Sequence, residues 1–300
     1  MSIEVIHLMI PLNSFMRLPA IAILSGIFLI TVMMVSGCGS KKKNYIDKVA
    51  KEHQNDDPVP NAASMMEASQ PVTTREVVYA TVNGNKVKGY LAKPENDSIS
   101  TPGLIVIHEW WGLNDNIEAM TRRLAGEGYV ALAVDLYNGK TASRPDGAMK
   151  LMRKAMDNQQ AGIENVKQAY RFLKDKENVG KTGVIGWCFG GGWSLQTALA
   201  LPDSIDATAI YYGHLVTDPN ELKTLQMPII GFFGGEDKSI SQETINTFKT
   251  TLDSMGKQVE IKVYPDANHA FANPSGTRYN AEAASDAWKR TMTFFDKYLK

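Results

Sequence analysis

The run Gly183-Val184-Ile185-Gly186-Trp187-Cys188-Phe189-Gly190-Gly191-Gly192 constrains this chain more than any other stretch. An apolar strand enters a G-x-C-x-G turn and leaves it in a helical pattern. So sharp a turn, a nucleophile elbow, stands the side chain at its apex above the edge of a sheet. The glycines on either side let strand and helix pass close together. The helix then begins directly behind the sulfur. Its free N–H groups and positive dipole end favour a thiolate and any oxyanion that forms beside it. Cys188 therefore reads as a nucleophile in preference to a small buried thiol.

On both sides of that turn, short apolar runs alternate with helical periods. Strands are predicted over Gly103–His108, Tyr129–Val134, Thr182–Ile185, Ala207–Tyr212, Pro228–Phe233 and Gln258–Tyr264. Helices are predicted near Asn116–Glu127, Ala148–Met156, Gly162–Lys174, Gly191–Leu201, Gln242–Met255 and Ala281–Tyr298. Continuous apolar strands separated by amphipathic helices imply an α/β fold: a mostly parallel central sheet with helices on both faces. Before it, Arg75–Val82 and Lys86–Lys93 alternate apolar and polar around Asn83-Gly84, which predicts an N-terminal β-hairpin. No internal repeat is visible, and residues 74–300 are expected to form one domain.

The amino end has another character. Leu18 to Val35 is a nearly uninterrupted apolar run, preceded by Arg17 and followed by Val35-Ser36-Gly37-Cys38. A positive residue, an apolar stretch and small residues describe an export signal. Small residues leading directly into a cysteine resemble the lipobox of bacterial lipoproteins. That resemblance implies that residues 1–37 are removed and that Cys38 carries lipid. The competing reading is an uncleaved anchor, since the run approaches the length that spans a bilayer. Met16, directly before Arg17, is an alternative start. Residues 38–73 are polar, with Lys41-Lys42-Lys43 and Asp56-Asp57-Pro58, and read as a tether. The catalytic part is thus expected outside the cytoplasm, on the periplasmic or cell-surface side, held to a membrane by its lipid.

Composition excludes several partners. Lys+Arg and Asp+Glu both number 32, so the chain has no positive surplus with which to hold nucleic acid. With only two cysteines no disulfide framework exists. Neither Cys/His spacing for a metal nor a phosphate-binding glycine loop is present. No cofactor or metal is expected, and a monomer is.

A cysteine nucleophile needs a base, and the base an orienting acid. In α/β-hydrolases these follow the nucleophile, acid first, each on a loop after a strand. Two histidines follow Cys188. His269, just after Gln258–Tyr264 and before the last helix, stands where the base belongs; His214 comes too early and reads as a loop residue. After Pro228–Phe233 comes Gly234-Gly235-Glu236-Asp237, where either carboxylate could serve. Asp237, one residue further out over the carboxyl edge, is preferred. The strand Gly103–Ile107 ends in His108-Glu109-Trp110-Trp111-Gly112. This is the loop that supplies the second oxyanion donor, so the N–H groups of Trp110 and Phe189 are the expected hole. Adjacent tryptophans read as pocket wall. A glutamate beside an oxyanion hole is unhelpful to the oxyanion and calls for a specific task.

His108-Glu109-Trp110-Trp111-Gly112-Leu113-Asn114, Asp135-Leu136-Tyr137, Gly186-Trp187-Cys188-Phe189-Gly190-Gly191, Gly235-Glu236-Asp237 and Asn268-His269-Ala270-Phe271 resemble, in order, the dienelactone hydrolase family. The resemblance runs over roughly residues 75–300. It implies the α/β-hydrolase fold and a Cys-Asp-His triad of Cys188, Asp237 and His269. It also implies that Glu109 pairs with the resting thiol and takes its proton when substrate arrives. Trp111, Tyr137 and Phe271 are the candidate substrate-binding side chains. The family's two substrate-carboxylate arginines have no counterpart in Tyr137-Asn138-Gly139-Lys140 or in His269-Ala270-Phe271-Ala272-Asn273. Lys140, Arg144 and Arg278 are the nearby cations, and a lysine does not reproduce a guanidinium clamp.

The reading is an exported, lipid-anchored hydrolase of small esters or lactones that works through a thioester acyl-enzyme. The same triad would also suit a thioester or an activated amide. A binding lipoprotein that has lost its chemistry is the rival from another class, and the intact set of Cys188, Asp237, His269 and Glu109 argues against it.

Overall fold

The computed structural model describes residues 45–56, 64, 66–96 and 100–300. The apolar run Leu18–Val35, the lipobox and Cys38 lie outside the described residues. Among the described residues, no helix is long and apolar enough to cross a membrane.

Eight strands form one sheet in the order β1-β2-β4-β3-β5-β6-β7-β8. They are β1 (Val72–Val82), β2 (Asn85–Pro94), β3 (Gly103–Ile107), β4 (Val130–Val134), β5 (Thr182–Trp187), β6 (Ala207–Tyr211), β7 (Ile229–Gly234) and β8 (Val259–Tyr264). The hairpin β1–β2 turns at Asn83 (φ 50°) and Gly84 (φ 77°), the positive-φ pair that an Asn-Gly turn supplies. β2 pairs antiparallel with β4, and every later pairing is parallel. Every residue of β3, β4, β5, β6 and β7 is buried. Side chains alternate between the two faces of a strand, so unbroken burial means that both faces of the sheet are covered.

The covering helices are α2 (Asp115–Gly126), α3 (Pro145–Asp157), α4 (Gln159–Lys176), α5 (Phe189–Ala200), α6 (Pro219–Leu222), α7 (Gln242–Ser254) and α8 (Ala281–Leu299). Local chemistry fixes their ends. The side chains of Asn114, Asp218, Ser241 and Asn280 each accept a backbone N–H of the first turn they precede. α2 and α8 meet where the Arg123 guanidinium lies 4.2 Å from the Trp288 ring.

One further helix, α1 over residues 45–52, falls within the polar stretch 38–73. Its Tyr45, Ile46 and Val49 are buried in the same core as the sheet. The compact unit therefore spans Asn44–Lys300, and this part of the stretch read as a tether is folded onto it. The reason is visible in the spacing. Tyr45, Ile46, Val49 and Ala50 make one apolar face of a short helix, although charged residues surround them.

Candidate active site

β5 delivers Cys188 to the carboxyl edge of the sheet, and α5 starts at the next residue. Cys188 has φ 54° and ψ −116°, a left-handed conformation that costs a side-chain-bearing residue roughly 1–3 kcal/mol. The fold holds it there. Its N–H donates to Tyr211 O at 3.0 Å, and the helix behind it is packed too tightly to yield. A Cβ at Gly186 would stand 2.3 Å from Gly190 O, and one at Gly190 would stand 2.3 Å from Ile107 O. Both glycines of the G-x-C-x-G turn are thus required by close backbone approach. Phe189 opens α5, so its N–H is one that the helix cannot satisfy internally.

Asp237 follows β7 and His269 follows β8, and the two side chains meet: His269 Nδ1 is 2.7 Å from Asp237 Oδ2. The other carboxylate oxygen accepts from Ser239 N (2.7 Å), Ser239 Oγ (2.6 Å) and Ile240 N (3.0 Å). Glu236, the alternative acid, is exposed. His214 stands outside this constellation and packs on Tyr45, ring centroids 4.5 Å apart. Ser239 was not anticipated. Its hydroxyl also lies 2.9 Å from His269 Nδ1 and buttresses the acid–base pair.

The electrostatics follow from this packing. Burial alone would raise the Cys188 pKa, but His269 and then His53 outweigh it and bring the thiol down to about 6. For His269, burial works against the charged form, and Asp237 and Cys188 overcome it and lift the imidazole well above its ordinary value. The Asp237 carboxyl is likewise disfavoured as an anion by burial, yet His269 and the Ser239 and Ile240 donors hold its pKa below the ordinary value. Thiolate and imidazolium stabilise each other, as in a cysteine–histidine ion pair.

Glu109 is buried with Oε2 accepting from Asn273 Nδ2 at 2.5 Å. Its Oε1 has no partner. Burial first, and the neighbouring Cys188 charge second, push its carboxyl up to about 8. The expected pairing of Glu109 with the resting thiol is therefore replaced: Asn273 holds the glutamate, and the thiol faces His53. A neutral Glu109 avoids the like-charge repulsion that a second anion beside the thiolate would create.

Neighbouring residues fix the loop over the site. His108 Nε2 accepts from Leu136 N (3.1 Å), so its Nδ1 carries the proton and donates to Glu109 O (2.6 Å). This ties the end of β3 to the end of β4 and sets the path of Trp110 and Trp111, whose rings meet at 4.8 Å and 62°. Tyr137 packs edge-on against His108 at 4.6 Å and near Phe189 at 5.3 Å, its buried hydroxyl unpartnered. Phe271 stands one layer back, between Tyr212 and Tyr264, and Tyr212 in turn flanks His269.

The residue that sequence reasoning missed is His53. It follows α1 and is only 2% exposed. Its Nε2 lies 3.7 Å from Cys188 Sγ, and its Nδ1 lies 2.5 Å from Asp56 Oδ2. The ring lies 4.5 Å from that of Trp110 and meets His269 nearly perpendicularly at 5.3 Å. Arg278 binds this segment to the site. It donates to His269 O (2.9 Å) through Nε, to Asp56 Oδ2 (2.8 Å) through Nη2, and to Glu52 O through Nη1. Thr277 Oγ1 donates to Asp56 Oδ1 at 2.7 Å. Residues 45–56 thus form a strap beneath which Cys188 is 0% exposed. Of the three cations considered from sequence, Arg278 is the one at the site. Lys140 is exposed, and Arg144 pairs with Asp146 on the surface.

The chain is similar to several known proteins. The sequence model of the dienelactone hydrolase family matches residues 87–299. A protein of Aquifex pyrophilus named "Protein usf" is 37% identical over 224 residues, 72% of this chain and 96% of that one. A protein of Saccharolobus solfataricus provisionally named a carboxymethylenebutenolidase is 31% identical over 264 residues, 75% of this chain and 99% of that one. Among solved structures, a Klebsiella pneumoniae protein provisionally described as a dienelactone hydrolase superposes with a TM-score of 0.68. It shares 26% sequence identity, and the match covers 76% of this chain and 100% of that one.

Proposed function

We propose, from the premise that this chain belongs to the dienelactone hydrolase family, that it hydrolyses small carboxylic esters or lactones through a thioester on Cys188. One observation carries the reading. Cys188, at the elbow and with its thiol down at about 6, faces a His269 oriented by Asp237 at 2.7 Å. In the scheme, the Cys188 thiolate attacks the acyl carbon, and the Trp110 and Phe189 N–H groups receive the oxyanion. The His269 imidazolium gives its Nε2 proton to the leaving alkoxide. It then removes a proton from the water that cleaves the thioester. Asp237 keeps the Nδ1–H pointed at itself and stabilises the charged ring. No cofactor takes part in these steps, and a single chain carries every group they use.

Arg278 favours substrates that carry a second carboxylate. In this structure its guanidinium is paired with Asp56 at 2.8 Å, and a substrate carboxylate that displaces the strap would take the same partner. An activated half-ester of a dicarboxylic acid, assayed beside the matching neutral ester, tests this. Arg278→Ala should raise KM for the half-ester alone. An equal rise for both esters would remove Arg278 from recognition.

We propose in addition that the chain is exported and lipidated at Cys38. Arg17, the apolar run Leu18–Val35 and Val35-Ser36-Gly37-Cys38 support this. Labelled palmitate should enter the wild-type chain and fail to enter Cys38→Ser. Equal labelling of both would contradict lipidation at that residue.

A further inference from the structure

His53 transfers no proton in the hydrolytic scheme, yet the fold fixes it beside the nucleophile. Its Nδ1 is held by the Asp56 carboxylate at 2.5 Å, and its Nε2 faces Cys188 Sγ at 3.7 Å. His269 repeats the pattern, with Nδ1 on the Asp237 carboxylate at 2.7 Å and a buried Nε2 that has no hydrogen-bond partner. One donor atom from each of His53, Cys188 and His269 lies within 4.8 Å of the other two, and all three residues are buried.

Two imidazoles, each fixed through Nδ1 by a carboxylate and converging with a thiol, form the arrangement that holds zinc in proteins. The carboxylates turn the rings so that Nε2 of each faces the sulfur; at His53 the Arg278 Nη2, 2.9 Å from Nδ1, shares that anchoring. The distances suit such an ion. With Zn–S near 2.3 Å and Zn–N near 2.0–2.1 Å, tetrahedral geometry puts sulfur and nitrogen roughly 3.6 Å apart. The Cys188–His53 pair already stands at 3.7 Å, and the remaining separations, within 4.8 Å, need to close by about 1.5 Å at most. Hydrolysis accounts for His269 as the base, and a hydrogen bond from the thiol accounts for the 3.7 Å contact, but neither gives a reason for His53 to be a second carboxylate-anchored imidazole at the nucleophile.

We propose that His53, Cys188 and His269 form a binding site, open in its fourth position, for a thiophilic divalent cation of zinc's type, and that its occupancy switches hydrolysis off. When the ion binds, metal–sulfur and metal–nitrogen bonds form, the proton shared by the Cys188–His269 pair (on Sγ or on His269 Nε2) is displaced to solvent, and nothing is oxidised or reduced. With the nucleophile and the base both ligated, no ester can be attacked. Because the third ligand belongs to residues 45–56, the metal also fastens the strap over the site.

The test uses the full-length chain in detergent, freed of metal by a chelator and titrated with zinc in a calorimeter. One zinc per chain is expected, with ester hydrolysis falling to zero at the same midpoint and returning on addition of chelator. His53→Ala should weaken zinc binding at least about 100-fold, and Asp56→Asn about 10-fold, in line with the loss of a ligand and of its orienting partner. Cobalt(II) in the wild type should show the absorption of a cobalt–thiolate bond, a readout that needs neither a variant nor turnover. Absence of stoichiometric zinc binding, undiminished binding by His53→Ala, or a cobalt spectrum without the thiolate band would each overturn the proposal. Hydrolysis by the metal-free enzyme is measured separately, so failure of the metal site and failure of the hydrolase reading are distinguishable.

Discussion

The carboxyl edge of the sheet and the strap over it are built on different principles. Cys188 and Asp237 follow β5 and β7, which are paired on both sides and buried throughout, and His269 follows β8, paired with β7 along its length. The strap is held by three apolar side chains, Tyr45, Ile46 and Val49, and by one polar cluster around Asp56 and Arg278. The first region cannot move without breaking the ladder. The second is tied by the Asp56–Arg278 pair, the Thr277–Asp56 and Arg278–Glu52 hydrogen bonds, the His53–Cys188 contact and one helical face. Regions with few buried contacts open at lower free energy than the core. Chemistry is thus placed on the rigid part, and access to it on the part that yields.

Cys188→Ala should give the largest effect, a loss of at least about 10⁴-fold in turnover of a p-nitrophenyl ester with the fold intact. Comparable activity in that variant would place the nucleophile elsewhere. Asp237→Asn should cost about 10²–10⁴-fold in kcat, because the amide no longer stabilises the imidazolium or selects the tautomer. A loss under tenfold would show that Ser239 can orient His269 without the acid.

The pH profile tests how the two carboxylate-bearing loops differ. The scheme needs Cys188 ionised and Glu109 neutral, so kcat/KM should rise as pH passes about 6 and fall as it passes about 8. Glu109→Gln should remove the fall and keep the rise. An unchanged alkaline limb would assign it to another group. The smallest effect belongs to the strap. Asp56→Ala breaks its contacts with His53, Thr277 and Arg278, and should speed iodoacetamide alkylation of Cys188 several-fold, roughly the effect of 1 kcal/mol in opening. An unchanged alkylation rate would mean that the strap does not control access.

Much of the rigid region is legible in the sequence. All eight strands are recognised, β3 to β8 from apolar runs and β1 and β2 from apolar–polar alternation, although β5 extends through Gly186 and Trp187, which pair with Ile210 and Tyr211 of β6. The order of nucleophile, acid and base follows from which loop leaves which strand. The strap is not legible in the same way. Its apolar residues are few and lie among charges, so composition suggests a tether, whereas burial depends on a surface formed by residues far along the chain. α6 also escapes the sequence reading, although Asp218 accepts from Asn220 N and Pro219 stands at the first helical position. The His53–Cys188–His269 cluster shows the limit most clearly. Its members are distant in sequence and have no ligand spacing, and only the folded chain brings them together.

The central claim is that Cys188 carries the acyl group, and it can be observed directly. The enzyme is mixed with a p-nitrophenyl ester, quenched during the burst of p-nitrophenol, digested and read by mass spectrometry. The predicted result is one acyl group on the peptide containing Cys188, lost on treatment with hydroxylamine. A resolved burst with that peptide unmodified, or with the acyl group on another side chain, would contradict it.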